Sequence, residues 1–148
     1  MTGFTPQATD YAERVRTTFD LQPFMAALGA RLGTVAPGAV DIHLERRPDL
    51  CQQNGFLHAG VSTSIADSAA GFAAFSLFKP DTDVLTTEFK VNLLRPAAGT
   101  RFVARGRVLK PGRTLTVCRS DVFAVADENE THVLTALLSM MTMPGPEA

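Results

Sequence analysis

A chain of 148 residues fits one domain at the usual size of roughly 100–200 residues, and it can bury a core without covalent staples. Its 45% hydrophobic and 20% charged residues are globular proportions, which excludes a disordered or fibrous chain. Fourteen Lys and Arg against fifteen Asp and Glu leave a net charge of −1, so no global charge argues for nucleic acid. Cys51 and Cys118 form neither a disulfide framework nor a zinc-like spacing, and reduced core thiols are expected. The N-terminus carries Asp10, Glu13, Arg14 and Arg16 without an apolar stretch of the secretory type. The least polar stretch, residues 59–78, holds Asp67 among several Ser and Thr and does not read as a membrane span. A cytoplasmic protein with no membrane contact is expected.

Residues 1–8 read as a loose tail. Helical spacing runs over 10–32, with Tyr11, Val15, Thr18 and Phe19 on one face. Pro23 divides it, and a second short helix follows through Phe24, Met25 and Leu28. Residues 1–29 thus read as a helical extension within a single domain of 1–148. Gly33, Pro37 and Gly38 punctuate a first hairpin-like region. Val40, Ile42 and Leu44 then alternate with Asp41, His43 and Glu45 at strand period, and 48–57 reads as a loop.

Residues 60–78 predict one helix, ended near Pro80. Ala66, Ala69, Ala70, Gly71, Ala73 and Ala74 make it small-sided, and its apolar residues face every direction, so it should be buried all round. After Asp83 the period becomes two. Phe89, Val91 and Leu93 mark one strand, and Phe102, Ala104, Gly106 and Val108 mark the next. Residues 115–126 and 132–143 give two more, with turns at Pro111-Gly112 and at 127–130. Spacers of this length suit antiparallel hairpins. One sheet wrapped around a central helix satisfies the order and buries the helix.

Asp67 is the only charge between His58 and Lys79. A buried carboxylate is costly unless partnered, and its pKa rises. No Lys or Arg stands three or four residues away to pair with it. Composition leaves two readings open: a structural Asp bonded to backbone or across an interface, and a general base or nucleophile. The loop Gln52-Gln53-Asn54-Gly55-Phe56-Leu57-His58 feeds directly into the helix start. First-turn N–H groups lack intrahelical partners and carry partial positive charge, which suits an oxyanion. Asp67 lies about two turns further on, at roughly 1.5 Å per residue. That is too far for one helix to serve both ends of a small reaction centre. A second protomer would bring its Asp to the first protomer's loop.

The stretch 54–60, Asn-Gly-Phe-Leu-His-Ala-Gly, followed by Ala66-Asp67-Ser68-Ala69-Ala70-Gly71, resembles the signature of PaaI-like hotdog-fold acyl-CoA thioesterases. Residues 86–97 are similar to the second strand of that family, and Gly112-Arg113-Thr114 to its Gly-Arg/Lys-Thr turn. The resemblance covers roughly residues 30–143. It implies an α+β hotdog fold, an antiparallel sheet of five or six strands wrapped around a long central helix. It also implies a homo-oligomer, dimer or tetramer, whose protomers share active sites. Asp67 falls on the catalytic carboxylate. Gln52 falls on the residue that orients water or thioester, and Thr86 on one that positions the water. Ala59 stands where the family has a glycine whose N–H contacts the thioester oxygen; the N–H survives that change. Asn54, His58 and Gly60 frame the substrate, with His58 mainly anchoring the loop. No metal or redox cofactor is implied.

His43 and His132 sit in strand patterns, and Asp81, Asp83 and Glu88 read as a solvated turn and strand face. Met140, Met141 and Met143 read as core or interface. Phe56, Phe72, Phe75 and Phe78 could serve an acyl pocket or the core alike. Between Phe89 and Ser120 stand eight cations, including Lys90, Arg95, Arg101, Arg105, Lys110 and Arg113, and no acid. They protect strand faces, or they receive an anion such as the CoA phosphates. The latter reading ranks first: Arg95, Lys110 and Arg113 are expected to bind substrate, and charge removal at Arg101, Arg105, Lys110 or Arg113 is expected to raise KM for CoA esters. Nucleic acid is disfavoured, since one Tyr and no Trp leave little for bases to stack on. The expected activity is hydrolysis of an acyl-CoA thioester: Asp67 activates water or attacks to form an anhydride. The alternative is a non-catalytic acyl-CoA-binding module of the same fold. A hydratase of that fold ranks last, because no His follows Asp67 until His132.

Overall fold

The computed structural model describes residues 3–145. The elements run α1 (Tyr11–Asp20), α2 (Pro23–Leu28), β1 (Arg31–Ala36), β2 (Ala39–Glu45) and a 3-10 turn (Pro48–Leu50). Then follow α3 (Ala59–Phe75), β3 (Thr82–Leu93), β4 (Arg101–Lys110), β5 (Leu115–Ala126) and β6 (Asn129–Pro144). All six strands form one antiparallel sheet in the order β1-β2-β4-β5-β6-β3.

The small residues of α3 let the sheet close around it. A methyl built on Gly106 of β4 would lie 2.1 Å from Ala69 O, so only glycine allows the strand this near the helix backbone. Ile65, Ala66, Ala69, Ala70, Phe72, Ala73 and Ala74 are buried against Val40, Ile42, Phe102, Ala104, Val122, Leu134 and Leu138. The inward faces of β2, β4, β5 and β6 follow the period-two alternation of the sequence. Cys118 is buried in the same core, and burial pushes its thiol up to about 12.

Helix α1 lies outside the sheet against α3. Phe19 meets Phe72 edge-on, with ring centroids 5.7 Å apart. Arg14 stacks 4.7 Å from the Phe75 ring centre and donates to the carbonyls of Phe78, Lys79 and Thr82 at 3.1–3.3 Å. It thereby caps carbonyls beyond the C-terminal end of α3 that no helical N–H reaches.

The helical reading of 10–32 is corrected at its end. Gly29 adopts a left-handed conformation (φ 73°) and stops α2, and β1 begins at Arg31. The loose tail is also corrected over its described part. Phe4 packs on the core, Ala8 is buried, and Gln7 donates to Leu77 O; residues 1–2 lie outside the described residues. The central helix ends at Phe75, three residues earlier than expected, where Ser76 turns and its hydroxyl both donates to Ala73 O and accepts from Gly38 N–H. The last turn is tighter than 127–130. Asp127 and Glu128 take positive φ, so Asn129 and Glu130 already belong to β6. Finally, β3 does not pair with the next strand in sequence. It lies at the far edge of the sheet, beside β6.

Candidate active site

The site residues fall on two separate cavities along α3. The first, about 520 Å³, is lined by Gln52, Phe56, Ala59, Ser62, Arg95 and Pro96 among others. The loop before α3 is pinned here by a Cys51–Leu57 bridge and by Leu57 N–H donating to Ala97 O. His58 is the N-cap: its Nδ1 accepts from Gly60 N–H at 2.9 Å, and its carbonyl accepts from Val61 and Ser62. Gly60 N–H is therefore occupied. Ala59, the first helical residue, has no acceptor for its N–H among the described residues. Gln52 curls its side-chain oxygen onto Asn54 N–H, so its amide NH2 is the end left to donate.

The second cavity, about 390 Å³, is lined by Asp67, Ser68, Gly71, Phe72 and Thr86, with Thr18, Leu21 and Gln22 of the α1–α2 segment and Asp83 and Val84 of β3. Asp67 is half-buried. Thr86 Oγ1 lies 2.8 Å from its Oδ1 and donates to it, while Met140 sulfur lies 3.4 Å from the same hydroxyl. No cation pairs with Asp67 among the described residues. Burial raises its pKa above the ordinary 3.8, and the Thr86 hydrogen bond opposes that shift. Water bound beside this carboxylate would meet a stronger base than a surface aspartate.

The two cavities are not the two ends of one pocket. Ala59 and Asp67 stand about 12 Å apart along the helix axis. One protomer brings Gln52 to Ala59, and Thr86 to Asp67, but does not bring the pairs together.

Asp83 does not sit on a solvated face: it lines the Asp67 cavity, and its carboxylate also accepts from Val84 N–H. Thr18, Leu21, Gln22 and Ser68 were not legible as cavity residues either. Of the cationic run, Arg105 is held bidentate by Glu130, Arg107 is held through one nitrogen by Asp41, and Arg119 is held by Asp121. His132 completes that outer-face group, bonding Asp121 at 3.0 Å and stacking on Phe123. Arg105, Arg107 and Arg119 are thus engaged on the outer sheet face rather than free for phosphate. Among the described residues Arg95 donates to His132 O alone, and Lys110 and Arg113 have no carboxylate partner. Arg113 and Lys79 line a third cavity beside Gly112.

A six-stranded antiparallel sheet closed on one long helix is the hotdog architecture, and a half-buried carboxylate on that helix fits hydrolytic chemistry. The thioesterase superfamily pattern matches residues 54–130, and the chain belongs to that superfamily, as a PaaI-like hotdog thioesterase. A thioesterase family protein of Silicibacter pomeroyi is 48% identical, with a TM-score of 0.89 over 91% of this chain and 99% of its own. The medium/long-chain acyl-CoA thioesterase YigI of Salmonella typhimurium is 27% identical over 80% of this chain and 84% of its own. The PaaI protein of E. coli shares the fold at a TM-score of 0.82, 17% identical over 94% of this chain and 97% of its own. Thioester hydrolysis is the chemistry this family defines. No helix among the described residues is long and apolar enough to cross a membrane.

Proposed function

We propose that this chain hydrolyses an acyl-CoA thioester to the free acid and CoA. Each site would join the cavity of Gln52 and Ala59 on one protomer to the cavity of Asp67 and Thr86 on its partner. The observation that carries the reading is Asp67 itself: a half-buried carboxylate on a cavity wall, without a cation, held by one hydroxyl. A carboxylate kept only for structure would be expected to gather more donors at that burial.

In the proposed reaction the thioester oxygen accepts from Ala59 N–H, with the Gln52 amide beside it. Asp67 takes a proton from water as the water oxygen adds to the carbonyl carbon. The C–S bond then breaks and CoA leaves as its thiolate, with Thr86 keeping Asp67 aimed. Charge developing on the carbonyl oxygen is what the free N–H stabilises.

The oligomer is supported by the β3 edge. Twelve residues of β3 present one unpaired side, and Leu85, Phe89 and Leu93 are 49%, 52% and 59% exposed. A long apolar edge left open invites pairing with another chain, and pairing of β3 with the partner's β3 would bring the two protomers' cavities together. Arg95, Lys110 and Arg113 remain the proposed phosphate contacts.

The test is a free-thiol assay over a panel of acyl-CoAs with the parent and Asp67→Asn. The amide preserves shape and can still accept from Thr86. We expect kcat to fall about 10²–10⁴-fold, the worth of a general base, with acyl-CoA binding retained. A folded Asp67→Asn variant that hydrolyses at the parent rate would sink the mechanism. A parent that binds but never hydrolyses would favour the binding-module reading.

A further inference from the structure

We infer that Gly71 is a specificity-determining residue: the missing side chain holds open the acyl pocket beside Asp67 for a group that is broad next to its carbonyl, such as an aryl ring or a branched chain. The inference rests on the thioesterase reading proposed above and adds where the acyl group goes.

Gly71 lies inside α3, four residues before its end. Glycine there costs the helix roughly 0.5–1 kcal/mol relative to alanine, so something should repay its presence. Its φ is not in the left-handed region, and alanine could take its backbone geometry. Packing within the chain does not require it either. A methyl built on Gly71 meets nothing within 4 Å, whereas one on Gly106 would strike Ala69 O at 2.1 Å and one on Gly99 would strike Val125 O at 2.8 Å. Gly106 and Gly99 are glycine because protein fills the space; Gly71 is glycine beside space that this chain leaves empty.

That space is the Asp67 cavity, which Gly71 lines. Residues four apart share a helix face, and a Cβ tilts toward the helix N-terminus. A side chain at 71 would therefore lean toward Asp67, into the part of the cavity that the first acyl carbons beyond the carbonyl must share. The opposite wall is built from α1: Leu21, at its C-terminal cap, lines the cavity and is 75% exposed. Phe72 and Val84 supply further apolar wall. A linear acyl chain needs little width at this point, and a ring or branch needs what Gly71 leaves.

The experiment compares the parent with Gly71→Ala and Gly71→Leu on acetyl-CoA, hexanoyl-CoA and benzoyl-CoA, alongside melting and sedimentation. Both replacements are good helix formers, so melting temperatures at or above the parent's and an unchanged oligomer are expected. We expect kcat/KM on benzoyl-CoA to fall about tenfold for Ala and about a hundredfold for Leu, and acetyl-CoA to lose several-fold less than benzoyl-CoA with each variant. Hexanoyl-CoA should fall between. Equal losses on all three substrates would overturn the inference while leaving the thioesterase reading intact. So would a parent that cleaves acetyl-CoA but not benzoyl-CoA. Dissociation of the oligomer by Gly71→Ala would assign the space to the partner's chain instead and overturn it too. A parent that cleaves no CoA thioester would sink the thioesterase reading, and this inference with it. Should the Leu variant misfold, the Ala variant alone decides.

Discussion

Two turns of one helix carry different chemistry. The first turn of α3 offers a donor: Ala59 N–H has no acceptor, while the neighbouring Gly60 N–H is already taken by His58. The turn around Asp67 offers an acceptor, a carboxylate whose pKa burial has raised. Thioester hydrolysis needs both at one carbonyl, a donor for its oxygen and a base for its water. The protomer holds them in separate cavities. On the proposed reading the unit of catalysis is an assembly, in which each chain contributes one half of two sites.

The largest effects test the two halves directly. Ala59→Pro removes the N–H and puts a ring carbon in its place. Proline is favoured at the first helical position, and His58 before it is already extended (φ −62°, ψ 137°), as a residue preceding proline should be. We expect kcat to fall about 10²–10³-fold with folding intact, the worth of one oxyanion donor. Co-expressing Ala59→Pro chains with Asp67→Asn chains then tests sharing. A mixed two-fold dimer holds one doubly defective and one intact site, so random mixing should restore about a quarter of parent activity. Sites built within single chains would restore none.

Next in size is a stability contrast between Gly106 of β4 and Gly71 of α3. Gly106→Ala must push β4 away from Ala69 O, and we expect a loss of about 1–3 kcal/mol, read by denaturant melts. Gly71→Ala should show no such loss. A smaller effect follows from Asp67. Its folded pKa lies above its unfolded one, so its contribution favours folding below pH 3.8 and is lost as pH rises through the folded value. Asp67→Asn should therefore melt higher than the parent at neutral pH, and the gap should close below pH 3.8. The parent's kcat should rise with pH along a limb displaced above the ordinary aspartate range, a limb that Asp67→Asn should lack. The smallest effect concerns the free cations. Arg113→Gln or Lys110→Gln should raise KM for acyl-CoA about fivefold, as an exposed charge contact of roughly 1 kcal/mol would, with kcat nearly unchanged. Arg105→Gln should leave KM alone, because Glu130 holds that side chain.

The central helix was legible because small residues on every side have one good explanation, close approach by other backbone. The strands after Asp83 were legible from their period, but their neighbours were not. Hairpin-length spacers say which strands can pair, and nothing in the alternation of residues 88–93 says that β3 crosses to the sheet edge beside β6. β1 was read only as part of a hairpin-like region, its first residues lost to the helical reading of 10–32, because its burial does not alternate, with a bulge between Leu32 and Val35. In the candidate site, Asp67 stood out as a lone charge, and Thr86 and Gln52 came from the family resemblance. Asp83 followed two polar neighbours at a strand start and looked solvated. Leu21 gave no signal, because a cavity wall assembled from distant segments leaves no periodic trace.

Arg14 has a consequence for how the molecule opens. One guanidinium reaches three carbonyls between Phe78 and Thr82 while stacking on Phe75. It bolts α1 to the exit of α3 and to the root of β3. These three pieces surround the Asp67 cavity, so none should loosen without the others. In native-state hydrogen exchange the amides of α1 should share one opening free energy with those at the end of α3, as a single cooperative unit. Arg14→Lys, which keeps the charge but loses the planar fork, should split that unit and let α1 exchange first.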